Sequence, residues 1–156
     1  MGLSVMQVWM TKLRALAVIG VLAILCASCS AWDDMFGAEK SLYDRIGGAA
    51  ATEQITDQFI ANVLADEWVG GRFARTDMVK FKRLIAEQLC QITGGPCVYS
   101  GRSMREAHKD MGITLREFSI VGRHFAAALE SAGVAGDDKK TIVRALEGMR
   151  DDIVGR

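Results

Sequence analysis

Histidine and cysteine are the side chains of this sequence best suited to binding a metal or a cofactor. The chain has two histidines, His108 and His124, and four cysteines among 156 residues. His108 lies in a long connection, residues 96–113, that also carries a tyrosine and three basic side chains. Long connections in small domains are usually functional, and imidazole is the commonest metal ligand in proteins. A lone histidine is more often structural, however, so His108 needs support from its surroundings.

The four cysteines occur in the sequence as two closely spaced pairs. Cys26 and Cys29 have redox or metal spacing, but Ser30 follows them, so the Cys-x-x-Cys-His pattern of covalent haem attachment is absent. Cys90 and Cys97 flank a Gly-Gly-Pro turn. In an oxidising compartment they would form a disulfide. The alternative is two packed thiols, because a sequence does not give their Cα separation. No second ligand pair lies nearby, which disfavours zinc.

The elements that must position these residues are helices. Apolar side chains recur at three- and four-residue spacing, no segment alternates as a strand does, and there is one proline. Two of the apolar stripes expected in the core are Ile55, Phe59, Ile60, Val63 and Leu64, and Phe118, Val121, Phe125, Ala128 and Leu129. Four helices are expected, or five, with these limits: about Ala50–Leu64, Asp77 to 93–96, Thr114 to Gly133, and Asp137–Ile153. Asp77 predicts an N-cap, and Thr114 with Glu117 predicts a capping box. The fold class is therefore all-α.

The first 28 residues are typical of a signal peptide. Lys12 and Arg14 precede an apolar run, residues 15–25, that is too short to span a bilayer. Ala27-Ser28 then leads to Cys29, which resembles the lipidated cysteine of bacterial lipoproteins. Cys26 departs from that pattern, so ordinary cleavage near residue 31 is the alternative. Met10 is an equally suitable initiator.

The domain organisation follows from this leader. Residues 1–28 are the expected signal peptide, 29–40 a tether and 41–156 one domain. We expect an exported protein, periplasmic or anchored as a lipoprotein, that meets the membrane only through a lipid on Cys29. Nineteen basic residues balance nineteen acidic ones, which disfavours nucleic acid as a partner.

A set of short motifs carries a family resemblance. The order is Leu-Tyr-Asp-Arg-Ile-Gly-Gly at 42–48, Phe73 before Asp77-Met78, Gly-Gly at 94–95, and Tyr-x-Gly-Arg-x-Met-Arg-Glu-Ala-His at 99–108. This pattern, over nearly all of residues 41–154, resembles the group 1 truncated haemoglobins. The resemblance implies a truncated globin, a two-over-two helical sandwich, around a non-covalent b-type haem (iron protoporphyrin IX).

The resemblance also implies roles for individual residues. His108 takes the position of the proximal iron ligand, and His124 has no motif and is expected to be structural. The apolar haem contacts implied are Phe59, Ile60, Phe73, Phe81, Leu84, Ile85, Met104 and Val121. Lys80, Tyr99 and Arg102 occupy positions suited to the haem propionates.

The distal side departs from the family pattern. Many members have a tyrosine where this chain has Ile60, and glutamine or histidine where it has Phe81, Leu84 and Ile85. A hydrogen bond to a charged acceptor contributes about 1.5–3 kcal/mol, so its loss predicts fast oxygen release and easy autoxidation. Leu84 cannot act as a sixth iron ligand as a histidine there could, so five-coordinate ferrous iron is expected. Gln88 is either a polar distal residue or a partly exposed side chain.

Two classes of function follow. The first is reversible binding of O2, NO or CO by haem, extending to NO and oxygen chemistry at the cell envelope with a reductase as electron source. The second is a helical interaction or haem-transfer module that has lost oxygen binding. The sequence carries no signal for the physiological ligand, the reductase or the oligomeric state.

Overall fold

A computed structural model describes residues 39–156. The expected signal peptide and all but the end of the tether lie outside these residues. The described part contains seven α-helices, one 3₁₀ helix and no strand. The elements are α1 (Leu42–Arg45), α2 (Gly48–Ala65), the 3₁₀ helix (Gly70–Phe73), α3 (Met78–Ile92), α4 (Met104–Ala107), α5 (Leu115–Ser131), α6 (Gly136–Glu147) and α7 (Arg150–Ile153). Across residues 39–156, no helix is long and apolar enough to cross a membrane.

The helix starts predicted from capping residues are confirmed. The Asp77 carboxylate accepts a hydrogen bond from the backbone N–H of Lys80 at 3.0 Å and so caps α3. At the start of α5, the Thr114 hydroxyl accepts from the Glu117 N–H, and the Glu117 carboxylate accepts from the Thr114 N–H. These local bonds satisfy donors that a helix leaves unpaired.

The prediction for the last helix is wrong in its length. One helix from Asp137 to Ile153 was expected, but α6 ends at Glu147 and α7 begins at Arg150. Between them the Met149 N–H bonds to the Leu146 carbonyl, a tighter three-residue step. Gly148 favours the break because glycine is a poor helix former. The number of helices was also underestimated, since single-turn helices have too few residues to show a period.

The core lies where α2 meets α3 and α5, and α5 in turn packs on α6. These four long helices make two layers of two, which confirms the predicted class. The buried hydrophobic cluster comprises Ile46, Ile55, Phe59, Val63, Leu89, Phe125, Ala128, Leu129, Val134 and Ile142. The Phe59 and Phe125 rings meet at 5.1 Å, edge to face, an arrangement that aromatic pairs favour.

One apolar position of each stripe was misassigned. Leu64 was expected in the core, but it is 45% exposed because the inward face of α2 passes through Val63. Ile120, outside the predicted stripe of α5, is buried. Thr52 and Thr56 are buried as well, and each hydroxyl donates to the carbonyl four residues earlier. The other buried positions agree with the predicted stripes, with Ile55, Phe59 and Val63 buried on α2 and Phe125, Ala128 and Leu129 buried on α5.

Candidate functional site

His108 directly follows α4, the single helical turn Met104–Ala107. Its ring is half-buried, and Nδ1 lies 2.8 Å from the Met104 carbonyl oxygen. A carbonyl only accepts hydrogen bonds, so in the neutral ring the proton is on Nδ1. Nε2 then keeps its lone pair for a metal, the arrangement in which metal-binding histidines are usually held.

The turn before His108 has a capping box that sequence reading missed. The Ser103 hydroxyl accepts from the Glu106 N–H, and the Glu106 carboxylate accepts from the Ser103 N–H and hydroxyl. The Ser-x-x-Glu spacing was available in the sequence, but the helix is too short to show an apolar stripe. This box defines where the turn begins and therefore where His108 leaves it.

Residues 97–100 run along α3 and are held there by side chains one turn apart. We call this contact the α3 seam; it joins Arg83, Glu87, Cys90 and Gln91 to residues 97–100. The Glu87 carboxylate accepts from the Ser100 N–H at 2.9 Å and from its hydroxyl at 2.7 Å. Hydrogen bonds from Ser100 and then Arg83 lower the pKa of Glu87 to about 2. Gln91 Oε1 accepts from the Tyr99 N–H at 2.6 Å.

The structure decides between the two alternatives for Cys90 and Cys97, a disulfide or two packed thiols. They form a disulfide with Cα atoms 5.7 Å apart, within the usual range for such bonds. The turn it closes needs glycine at 95, where a Cβ would lie 2.6 Å from the Cys90 sulfur and 2.7 Å from the Tyr43 ring. The disulfide therefore lies at one end of the α3 seam and links the segment that leads to His108 covalently to the end of α3.

We call the apolar residues expected around haem the apolar wall, and five of them pack against one buried cluster. Ile60, Phe73, Phe81, Ile85 and Val121 are partly buried and pack on the same core cluster. The rings of Phe73 and Phe81 are 5.3 Å apart, and Leu84 and Met104 are also partly buried. Phe59 lies deeper, at 4% exposure. A partly buried apolar wall with one imidazole donor suits a flat, largely apolar group such as haem.

Of the three expected rim residues, the structure brings two together. Tyr99 curls back over Gly101, where a Cβ would lie 2.2 Å from the Tyr99 hydroxyl. Burial, then the charge of Glu87, raises the pKa of Tyr99, while Arg102 acts in the opposite direction. Tyr99 therefore stays a hydroxyl donor at neutral pH. Lys80 is exposed on the first turn of α3.

Gln88 agrees with the second of its two alternatives, a partly exposed side chain, and its amide contacts two methionines. It is part-buried, and its Nε2 lies 3.6 Å from the sulfur of Met104 and 3.3 Å from that of Met149. Its amide thus faces the turn that carries His108. Thioether sulfur is a weak acceptor, so this contact mainly orients the three side chains.

His124 is engaged in a contact between helices. Its Nε2 lies 2.8 Å from Asp66 at the end of α2, and that hydrogen bond is the main reason why the pKa of Asp66 is lowered. A surface cleft of about 490 Å³ borders this pair, and another of about 270 Å³ lies beside Arg45 and Val134. We assign neither to haem, because His108 borders neither. Within residues 39–156, no group of three metal-binding side chains occurs.

Comparison with known proteins gives consistent matches. Residues 41–154 match the family described as bacterial-like globin. The group 1 truncated haemoglobin GlbN of Mycolicibacterium paratuberculosis is 38% identical over 113 residues, covering 72% of this chain and 83% of that protein. The GlbN of a Nostoc species is 31% identical and covers 75% of this chain and 99% of that protein.

Solved structures show the same architecture. The truncated haemoglobin of Tetrahymena pyriformis in its Fe(III) form matches with a TM-score of 0.72 and 32% identity, over 75% of this chain and all of that one. The 2/2 haemoglobin of a Synechococcus species, solved in the cyanomet state with covalently attached haem, matches with a TM-score of 0.70 and 32% identity. It covers the same shares of the two chains. The expected two-over-two globin fold is confirmed.

Proposed function

Because this chain belongs to the group 1 truncated haemoglobins, we propose that it holds one b-type haem through Nε2 of His108 and binds a diatomic gas reversibly. When bound, the haem would supply an iron atom that can bind O2, NO or CO. The observation that carries the proposal is the Nδ1 contact of His108 with the Met104 carbonyl. It leaves the opposite nitrogen free to act as the axial ligand.

The residues of the apolar wall would exclude water from the ring and limit the size of the gas ligand. Phe73 and Phe81 would offer aromatic contacts, and Val121 would border the ring from α5. At the rim, the Tyr99 hydroxyl and the Arg102 guanidinium would bind propionate oxygens, with Lys80 adding a second cation. Hydrogen bonds from charged donors to carboxylates are short and strong.

The gas-binding side determines which ligand the protein retains. Ile60, Phe81, Leu84 and Ile85 carry no hydrogen-bond donor, so bound oxygen would dissociate quickly. NO and CO depend less on such a bond, so their binding is expected to be the firmer. In NO dioxygenation one O2 and one NO become one nitrate, and one electron comes from an external reductase. We propose this NO and oxygen chemistry as the activity at the cell envelope.

The test is an absorption spectrum of residues 41–156 reconstituted with haemin. His108→Ala is the variant, and His124→Ala is its matched control because it removes the other histidine of the chain. We expect stoichiometric uptake, a sharp Soret band and a five-coordinate ferrous spectrum in wild type and in His124→Ala. Acid–acetone extraction should release all the haem and so establish non-covalent binding. Equal spectra for His108→Ala and wild type would refute the assignment.

A haem-transfer module is the second candidate, favoured by the wall side chains that are only partly buried. It predicts stoichiometric uptake followed by rapid loss of haem to a scavenger globin. Slow loss, over many hours, would contradict it. Absence of specific uptake would instead support an interaction module that keeps only the globin architecture.

Export and lipidation are separate parts of the proposal. They rest on the positive segment, the apolar run and Ala27-Ser28-Cys29 of the sequence. The full chain expressed in a bacterium should partition into the detergent phase, and Cys29→Ser should move it to the aqueous phase. Cys26→Ser is the control, since it leaves the modified cysteine in place. A full chain that stays aqueous would exclude the lipid anchor.

A further inference from the structure

The last eight residues contact the segment that carries His108 on both sides of that histidine. We call residues 149–156 the C-terminal brace. Before His108, Arg105 pairs with Asp152 at 2.6 Å. After it, the Gly112 N–H donates to the Arg156 carbonyl at 2.7 Å, and the Gly155 N–H donates to the Ile113 carbonyl at 2.9 Å.

A third contact reaches the residue that orients the imidazole. Met149, at the start of the brace, shares the Gln88 amide with Met104. The Met104 carbonyl in turn accepts from Nδ1 of His108. The brace, α3 and the proximal histidine are therefore linked through one partly buried side chain.

The backbone between these contacts is strained. Asp110 has φ of +62°, a left-handed conformation that non-glycine residues rarely adopt and that persists only when its surroundings hold it. Gly112, two residues later, also has positive φ, +59°. The two backbone hydrogen bonds that join Gly112 and Ile113 to residues 155 and 156 hold this turn in place just after His108.

We propose that the C-terminal brace is a positioning element for His108. It determines how far the imidazole reaches from α4 and how firmly it stays there. This inference rests on the proposed function in one respect, since the reach of His108 matters only if it binds haem iron. The mechanical part, the ordering of residues 104–113, stands without haem.

The first variant is a chain that ends at Val154, which removes both backbone bonds to the brace. Amide hydrogen exchange of the haem-free protein should become about tenfold faster at Ala107, His108 and Gly112, as expected when one to two hydrogen bonds are lost. In the haem-loaded protein, loss of haem should accelerate by a similar factor. The iron–histidine stretching band of the ferrous form should also shift.

The ion pair between Arg105 and Asp152 provides a second test, in a variant that is expected to fold. Asp152→Ala should speed haem loss about twofold, the size expected for an exposed pair. The swap of Arg105→Asp with Asp152→Arg should restore the wild-type rate and band position. Asp138→Ala is the matched control, because it removes an exposed pair with Arg45, 2.7 Å long, elsewhere in the fold.

The outcomes separate the two proposals. Unchanged exchange at residues 104–113 together with an unchanged iron–histidine band would overturn the brace, even with full haem binding. Failure of the wild-type protein to take up haem would overturn the proposed function, and the exchange data alone would then decide the brace. If the chain ending at Val154 does not fold, Asp152→Ala and its charge swap decide it.

Discussion

The two sides of the expected haem site are built in different ways. On the His108 side, residues 97–113 are held by a disulfide, the α3 seam, a capping box and the C-terminal brace. On the side proposed to bind gas, Ile60, Phe81, Leu84 and Ile85 have hydrocarbon side chains only. His108 is thus placed by directional bonds, whereas a gas ligand held as proposed would be selected by size and apolarity.

This contrast follows from where the residues lie, either in a long connection between helices or within a long helix. Residues 93–103 cross from α3 to α4 without regular structure, so that path depends on contacts with its neighbours. Ile60 and Phe81, by comparison, sit on long helices whose packing already positions them. A segment without its own hydrogen-bond ladder needs external bonds, because fixing each residue costs about 1–2 kcal/mol of conformational entropy.

Adding a donor to the apolar side should have the largest effect. Ile60→Tyr introduces a hydroxyl that can bond to bound oxygen, and oxygen should dissociate 10- to 100-fold more slowly, as expected for about 1.5–3 kcal/mol. Stopped-flow oxygen displacement by CO measures it. Ile60→Phe is the control, because it changes the size of the side chain without the hydroxyl. Equal rates for the two variants would show that steric bulk, not hydrogen bonding, controls release.

Removing the disulfide tests the opposite side. Cys97→Ser should lower the free energy of unfolding by about 2–3 kcal/mol, the loop-entropy value for so short a loop. Urea unfolding measures it, and a reductant should reproduce the loss in wild type. The double variant Cys90→Ser/Cys97→Ser is the control, since reductant should leave it unchanged. No difference between reduced and oxidised wild type would mean that the hydrogen bonds of the α3 seam hold this path alone.

Gln88 distinguishes the two sides directly, because the sequence allowed a distal role and the structure turns its amide toward Met104. Gln88→Leu should increase the rate of haem loss a few-fold, as expected for one weak hydrogen bond. The rate of oxygen dissociation should stay within about twofold of wild type. A changed rate of oxygen release with an unchanged rate of haem loss would show that Gln88 acts on the bound gas instead.

The smallest effect concerns the charge of the α3 seam. The pKa of Glu87 is lowered to about 2 from the ordinary 4.5, so its ionised form stabilises the folded state. That contribution is complete above about pH 5 and is lost as pH falls through 4.5 toward 2. Glu87→Gln should therefore be less stable than wild type at pH 7, with the difference shrinking in acid. Glu53→Gln, a more exposed carboxylate paired with Lys82, should show little change at either pH.

Much of the site could be predicted from local sequence. The caps of α3 and α5 depend on residues three apart, and those predictions are confirmed. The predicted wall residues Ile60, Phe73, Phe81, Ile85 and Val121 do pack on one cluster. The break at Gly148 was missed, because an apolar period continues through a turn as readily as through a helix. The exposure of Leu64 was missed for a related reason: a stripe gives a face of the helix only to within about one residue.

The sequence by itself determined where the long helices lie, the caps of α3 and α5, the family and the one histidine set in a family motif. These features depend on neighbours along the chain and on residue type. Only the tertiary structure decided that Cys90 meets Cys97, that Gln88 faces Met104 and that residues 149–156 close on the segment after His108. Such contacts join residues far apart in sequence, or across a turn whose path is not local. Their geometry is set by how the helices pack, which no local pattern encodes.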